Sequence, residues 1–122
     1  MSENDKTPIL IAEDEAMLRL IAVELLQDAG FEVFEASDGV EALELLKANP
    51  QIALLVSDVK MPRMDGYSLV EAGLALRPDL KVLMMTGYAQ SPPQMLAARD
   101  IQVLRKPFNL ERLCVLAAEM TA

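Results

Sequence analysis

Four apolar runs of this 122-residue chain lead into groups that can do chemistry. "LIAEDEA" (10–16) runs into Glu13, Asp14 and Glu15, "IALLVSD" (52–58) stops at Asp58, "KVLMMTG" (81–87) carries Thr86, and "IQVLRK" (101–106) ends on Lys106. Brought together, Glu13, Asp14 and Asp58 would raise one another's pKa unless a cation neutralised them. A small, hard ion that takes oxygen ligands at about 2.1 Å suits that need, and Mg²⁺ is the natural candidate. Beside such an ion a carboxylate can attack a phosphoryl group while the metal and a lysine offset charge on the equatorial oxygens. Asp58 is the nucleophile this chemistry selects: it stands alone at the end of its run and is followed by a loop, "VKMPRMDG" (59–66), rather than by a second acid.

Elements of the right kind exist to bring these groups together. "PILIAE" (8–13), "FEVFEAS" (31–37) and the runs at 52–58, 81–87 and 101–106 have strand length and composition. Helix patterns separate them. The first covers 15–29, with Leu18, Ile21, Val23 and Leu25 on the apolar side and Gly30 as its stop. The second opens at Asp38 with Glu41 at capping-box spacing and ends before Pro50, and the third covers 67–77 and ends before Pro78. A fourth, opened by Ser91, Pro92 and Gln94, should be short; a fifth starts at Asn109 and carries Leu110, Leu113, Cys114 and Ala117 along one face. Strict alternation of apolar strands and helices predicts a doubly wound α/β domain, a parallel sheet with helices on both faces. Ligands in such sheets bind at the carboxyl ends of the strands, where strand order reverses. Glu13, Asp14, Asp58, Thr86 and Lys106 are all expected at that edge.

Composition narrows the function further. One domain is expected, since 122 residues with 52% hydrophobic content suffice for a single core. A net charge of −8 opposes contact with nucleic acid or anionic lipid. No run approaches the ~20 apolar residues of a membrane span, and "MSENDKTP" is too polar for a secretory signal. A cytoplasmic protein is expected. The absence of histidine excludes Ser-His-Asp and Cys-His nucleophile pairs, most zinc sites and a phosphohistidine on the chain itself. Cys114 is the only cysteine, so no internal disulfide forms, and its place on an apolar stripe predicts a buried, inert thiol.

In combination, Glu13-Asp14, "SDVKMPRMDG" with Asp58, "MTGYA" with Thr86 and "RKPF" with Lys106 and Pro107 resemble the receiver domains of bacterial two-component response regulators. The resemblance covers residues 8–120 and leaves 1–7 as a disordered N-terminal segment. It implies a flavodoxin-like, five-stranded parallel sheet in the order 2-1-3-4-5, with five helices. Asp58 would take a phosphoryl group from the phosphohistidine of a sensor histidine kinase or histidine phosphotransfer protein. Glu13, Asp14, Asp58 and the Lys60 carbonyl would hold Mg²⁺. Thr86 and Lys106 would contact the phosphoryl oxygens, Gly87 would leave the site open to donor and water, and Pro107 is a cis-proline candidate. Such a protein would catalyse only its own phosphorylation and dephosphorylation and would not otherwise be an enzyme.

One departure from the family concerns the switch. Val103 stands where many receivers carry Tyr or Phe three residues before the lysine, which leaves Tyr88 as the candidate aromatic switch. On phosphorylation the Thr86 hydroxyl would move toward the phosphoryl group, with Gly87 giving the backbone freedom and Tyr88 changing its exposure. Met61, Met64, Met84 and Met85 read as packing residues, Met61 and Met64 also as an adaptable partner surface. A haloacid dehalogenase-type phosphatase needs a second acid two residues after the nucleophile, where this chain has Lys60. The expectation is therefore a monomeric, stand-alone receiver signalling by protein contact. The alternatives are a receiver cut from a hybrid histidine kinase and a degenerate receiver acting as a constitutive adaptor.

Overall fold

The structure, a computed structural model, describes residues 6–86, 101–105 and 109–122. Five strands form one parallel sheet: β1 (Pro8–Ala12), β2 (Glu32–Ala36), β3 (Leu54–Asp58), β4 (Lys81–Thr86) and β5 (Ile101–Arg105), in the order β2-β1-β3-β4-β5. Four helices lie among the described residues: α1 (Ala16–Asp28), α2 (Gly39–Ala48), α3 (Gly66–Leu76) and the C-terminal α4 (Leu110–Thr121). The short helix expected over Ser91–Ala98 lies outside the described residues, as do residues 1–5 of the N-terminal segment. Thr7 accepts a hydrogen bond from the Glu32 amide, 3.0 Å, which extends the β1–β2 pairing backward.

Side chains alternate across the pleat, so each strand feeds two cores. Ile9, Ile11, Leu54, Val56, Leu83 and Met85 face α1 and α4. Their neighbours Leu10, Leu55, Val82 and Met84 face α2 and α3. Burial on both sides is why β1, β3 and β4 read as continuous apolar runs, whereas the edge strands β2 and β5 keep exposed polar residues such as Glu32, Glu35 and Gln102. Met84 and Met85 are fully buried, and Met61, Met64 and Val103 pack half-buried against the core under α2 and α3. These methionines are the packing residues expected.

Local signals set the helix boundaries. Gly30 adopts φ +100° just past α1 and donates its amide to the Gln27 carbonyl. Asp38 caps α2 by accepting from the Glu41 amide, 2.8 Å, while the Glu41 carboxylate turns back to the Ser37 amide, 2.7 Å, one residue before the usual capping-box partner. Asn109 caps α4 through the Glu111 amide.

The inward stripe of α1 differs from the one expected. Ala22, Val23 and Leu26 are buried, whereas Ile21 joins Met17 and Leu20 on the exposed side. A helix with apolar residues at nine of its thirteen positions contains two stripes with acceptable spacing, and docking against the sheet selects between them. On α4, Leu113 and Ala117 are buried as expected, with Cys114 half-buried at the core margin. Burial, and secondarily the Glu111 carboxylate, push the Cys114 thiol pKa up, which disfavours the reactive thiolate.

Candidate metal and phosphoacceptor site

Strand order reverses between β1 and β3, whose carboxyl ends lie side by side: Ala12 pairs with Ser57. The next residue on each strand is therefore an acid. Glu13, Asp14 and Asp58 each offer a carboxylate oxygen, and these oxygens lie within 4.8 Å of one another. Glu13 and Asp58 are buried and Asp14 is exposed, so the cluster has a closed floor and an open side. Three hard oxygen donors at this spacing suit a divalent cation such as Mg²⁺. Glu15, the third acid of the opening run, stays exposed at the N-cap position of α1 and makes no side-chain cap hydrogen bond.

The backbone carrying these acids is held at several points. The Glu13 amide donates to the Ala36 carbonyl, 3.0 Å, and its carbonyl accepts from Arg19 Nη1, 2.8 Å. Arg19 also reaches Glu35 on β2, 3.1 Å, so one guanidinium ties the corner between β1 and α1 to the neighbouring strand. Around Asp58, Ser57 Oγ donates to the Asp58 carbonyl, 2.9 Å, and the Val59 amide continues the ladder to Met85, 3.1 Å. The loop from 59 to 65 then returns to its origin. The Gly66 amide bonds the Val59 carbonyl, 2.8 Å, and a Cβ on Gly66 would collide with the Asp58 carbonyl oxygen. That close approach requires glycine.

Of the residues expected here, Glu13, Asp14 and Asp58 come together. Lys60 is exposed in the loop after Asp58. Thr86 ends β4 in register with Arg105, one position beyond the Asp58–Met85 pair, so its backbone reaches the same edge. Gly87, Tyr88, Lys106 and Pro107 lie outside the described residues. Sequence reasoning missed two arginine contacts near this edge, those of Arg19 with the Glu13 carbonyl and Glu35 and of Arg63 with Asp38. Arg63 sits in the loop with φ +67° and pairs with Asp38. Neither carried a signal in the sequence beyond a lone basic residue near acids.

The sheet order and the acid cluster at its switch point define a class: a flavodoxin-like α/β domain with an acidic pocket suited to phosphoryl chemistry. Residues 9–118 match the response regulator receiver domain, and the chain belongs to that family. Receiver domains of this family bind Mg²⁺ at an acidic pocket and work with histidine kinases or phosphotransfer proteins. The chain is similar to the response regulator receiver protein CpdR of Brucella abortus, with 40% identity over 107 residues, 86% of this chain and 88% of that protein. It is also similar to the sensor kinase CckA of the same organism, with 37% identity over 92% of this chain and 12% of the kinase. A crystal structure of the receiver domain of a hybrid histidine kinase CckA superimposes with a TM-score of 0.81 at 33% identity, covering 94% of this chain and 99% of that one.

Proposed function

We propose that Asp58 is the phosphoacceptor of this receiver, in a Mg²⁺-dependent transfer from a protein phosphohistidine. The observation that carries this reading is the meeting of Glu13, Asp14 and Asp58 at the switch point of the sheet. An Asp58 carboxylate oxygen forms the new O–P bond as the donor's P–N bond breaks, and that electron pair returns to the imidazole nitrogen. Glu13, Asp14, Asp58 and the Lys60 carbonyl would hold Mg²⁺, which would supply positive charge to offset that of the phosphoryl oxygens. Thr86 and Lys106 are assigned to the phosphoryl oxygens, and Gly87 and Tyr88 to the backbone and aromatic response that follows. Pro107 is assigned the cis position after the lysine.

Incubation with acetyl phosphate and Mg²⁺, resolved by Phos-tag electrophoresis, tests the reading. A retarded band that disappears with EDTA is expected, and a constitutive adaptor gives none.

The donor's docking surface follows from α1. This helix starts two residues after Asp14 and exposes Met17 (68%), Leu20 (52%) and Ile21 (38%) on one side. Exposed apolar side chains at i, i+3 and i+4 suit a helical partner bringing its histidine to the adjacent pocket. Leu20→Glu is therefore expected to slow transfer from a phosphorylated kinase or phosphotransfer protein at least about tenfold, the scale of a 1.4 kcal/mol loss of binding. Labelling by acetyl phosphate, which needs no docking, should be unchanged. Equal loss with both donors would place the defect in the site rather than on the surface.

A further inference from the structure

We infer that Arg63 is a positioning residue for the metal site, acting through a clamp on Asp38 that fixes the loop following the phosphoacceptor. The inference rests on the reading of Glu13, Asp14 and Asp58 as the Mg²⁺ site and extends it to a residue that touches neither metal nor phosphoryl group.

Three observations converge on the clamp. Arg63 is the only non-glycine with a left-handed backbone among the described residues, φ +67°, a conformation that a residue of this size keeps only when its surroundings enforce it. Its guanidinium makes two contacts with the same carboxylate oxygen: Nη2 lies 2.7 Å and Nε 2.9 Å from Asp38 Oδ2. The Asp38 side chain is only 11% exposed, and its other oxygen is already engaged by the Glu41 amide at the start of α2, 2.8 Å. Asp38 is thus held by α2 independently of its contact with Arg63. The Glu41 amide, and after it the Arg63 guanidinium, hold the Asp38 carboxyl below the usual range against the opposing effect of burial, so the partner remains ionised at neutral pH.

The neighbouring residue closes the contact. Met64 packs so tightly on Gly39, the first residue of α2, that a Cβ there would collide with the Met64 carbonyl. The loop is thus pinned at two places: at its base, where Gly66 folds back on Asp58 and Val59, and at its tip, where Arg63 and Met64 meet the start of α2. Between those pins lies Lys60, whose carbonyl is the proposed backbone ligand. A ligand carbonyl in a loop is only as well placed as the loop itself, and loss of supporting partners around a metal typically weakens binding about 10–100-fold. An ordinary exposed ion pair contributes little to stability. The effect of this clamp should therefore appear in metal affinity far more than in unfolding.

The test compares Mg²⁺ titrations, followed by amide NMR shifts, of wild type, Arg63→Ala, Arg63→Asn and Arg63→Lys, with thermal unfolding of each. Alanine and asparagine are expected to weaken Mg²⁺ about tenfold with unfolding midpoints within a few degrees of wild type. Lysine, which keeps the charge but offers no fork, should fall between. Labelling by acetyl phosphate should slow in the alanine variant at low Mg²⁺ and recover at saturating Mg²⁺. Asparagine separates clamp from backbone, because it tolerates positive φ but is too short to reach Asp38. Wild-type affinity in Arg63→Asn, or in Arg63→Ala, overturns the clamp. If wild type itself binds no Mg²⁺, the underlying site assignment fails, and the clamp fails with it.

Discussion

Asp58→Asn is expected to abolish labelling by acetyl phosphate while leaving the unfolding midpoint at or above that of wild type. The chemical half of this result follows from the amide, which is neutral and whose oxygen is a far weaker nucleophile than that of a carboxylate. The structural half follows from the contacts that hold residue 58. Its carbonyl accepts from Ser57 Oγ and packs under Gly66, and the next amide bonds Met85. These backbone interactions at residue 58 survive the substitution. Removing one of three acids whose oxygens lie within 4.8 Å also relieves like-charge repulsion in a buried place. Phos-tag electrophoresis with a thermal melt checks both halves. Stoichiometric labelling of the variant would move the phosphoacceptor elsewhere.

Asp14→Ala should give the complementary result: intact folding with Mg²⁺ binding weakened by at least about tenfold, as expected for loss of a direct ligand where even supporting residues cost that much. Asp14 is the exposed member of the cluster, so truncation removes a ligand without opening a cavity, and the stability change should stay within about 0.5 kcal/mol. Titration by NMR shifts gives the affinity directly. Labelling at low Mg²⁺ should fall in parallel and recover in part when Mg²⁺ is raised. Unchanged affinity would remove Asp14 from the ligand set and leave Glu13 and Asp58 to hold the ion.

The contrast between the buried Glu13 and the exposed Asp14 was not legible in the sequence, although their meeting with Asp58 was. Strand ends can be read from where apolar runs stop, and β-α alternation fixes which ends share an edge. Whether a carboxylate at that edge points under the sheet or toward solvent depends on the turn into α1, and that turn is held by Arg19, which bridges the Glu13 carbonyl and Glu35. No spacing rule links residues 19 and 35. The same limit applies to Arg63 and Asp38, which are 25 residues apart. Asp38 was visible as a helix cap, because capping is local; its second role depends on a loop conformation that only the folded chain reveals. On α1 the difficulty was one of ambiguity. Leu18, Ile21, Val23 and Leu25 form a plausible stripe, yet the sheet selects Ala22, Val23 and Leu26 and leaves Ile21 with Met17 and Leu20 on the surface that the phosphodonor is proposed to use.

The central claim, that this receiver carries its phosphoryl group on Asp58, is tested most directly by trapping the acyl phosphate. Borohydride reduces a phosphoaspartate to homoserine, which marks the modified residue permanently for peptide mass spectrometry. Wild-type protein treated with acetyl phosphate and Mg²⁺ and then with borohydride should show homoserine at position 58 alone, and none when EDTA is present during phosphorylation. Homoserine at Asp14 or at another acid, or its absence at position 58 under saturating Mg²⁺, would contradict the account.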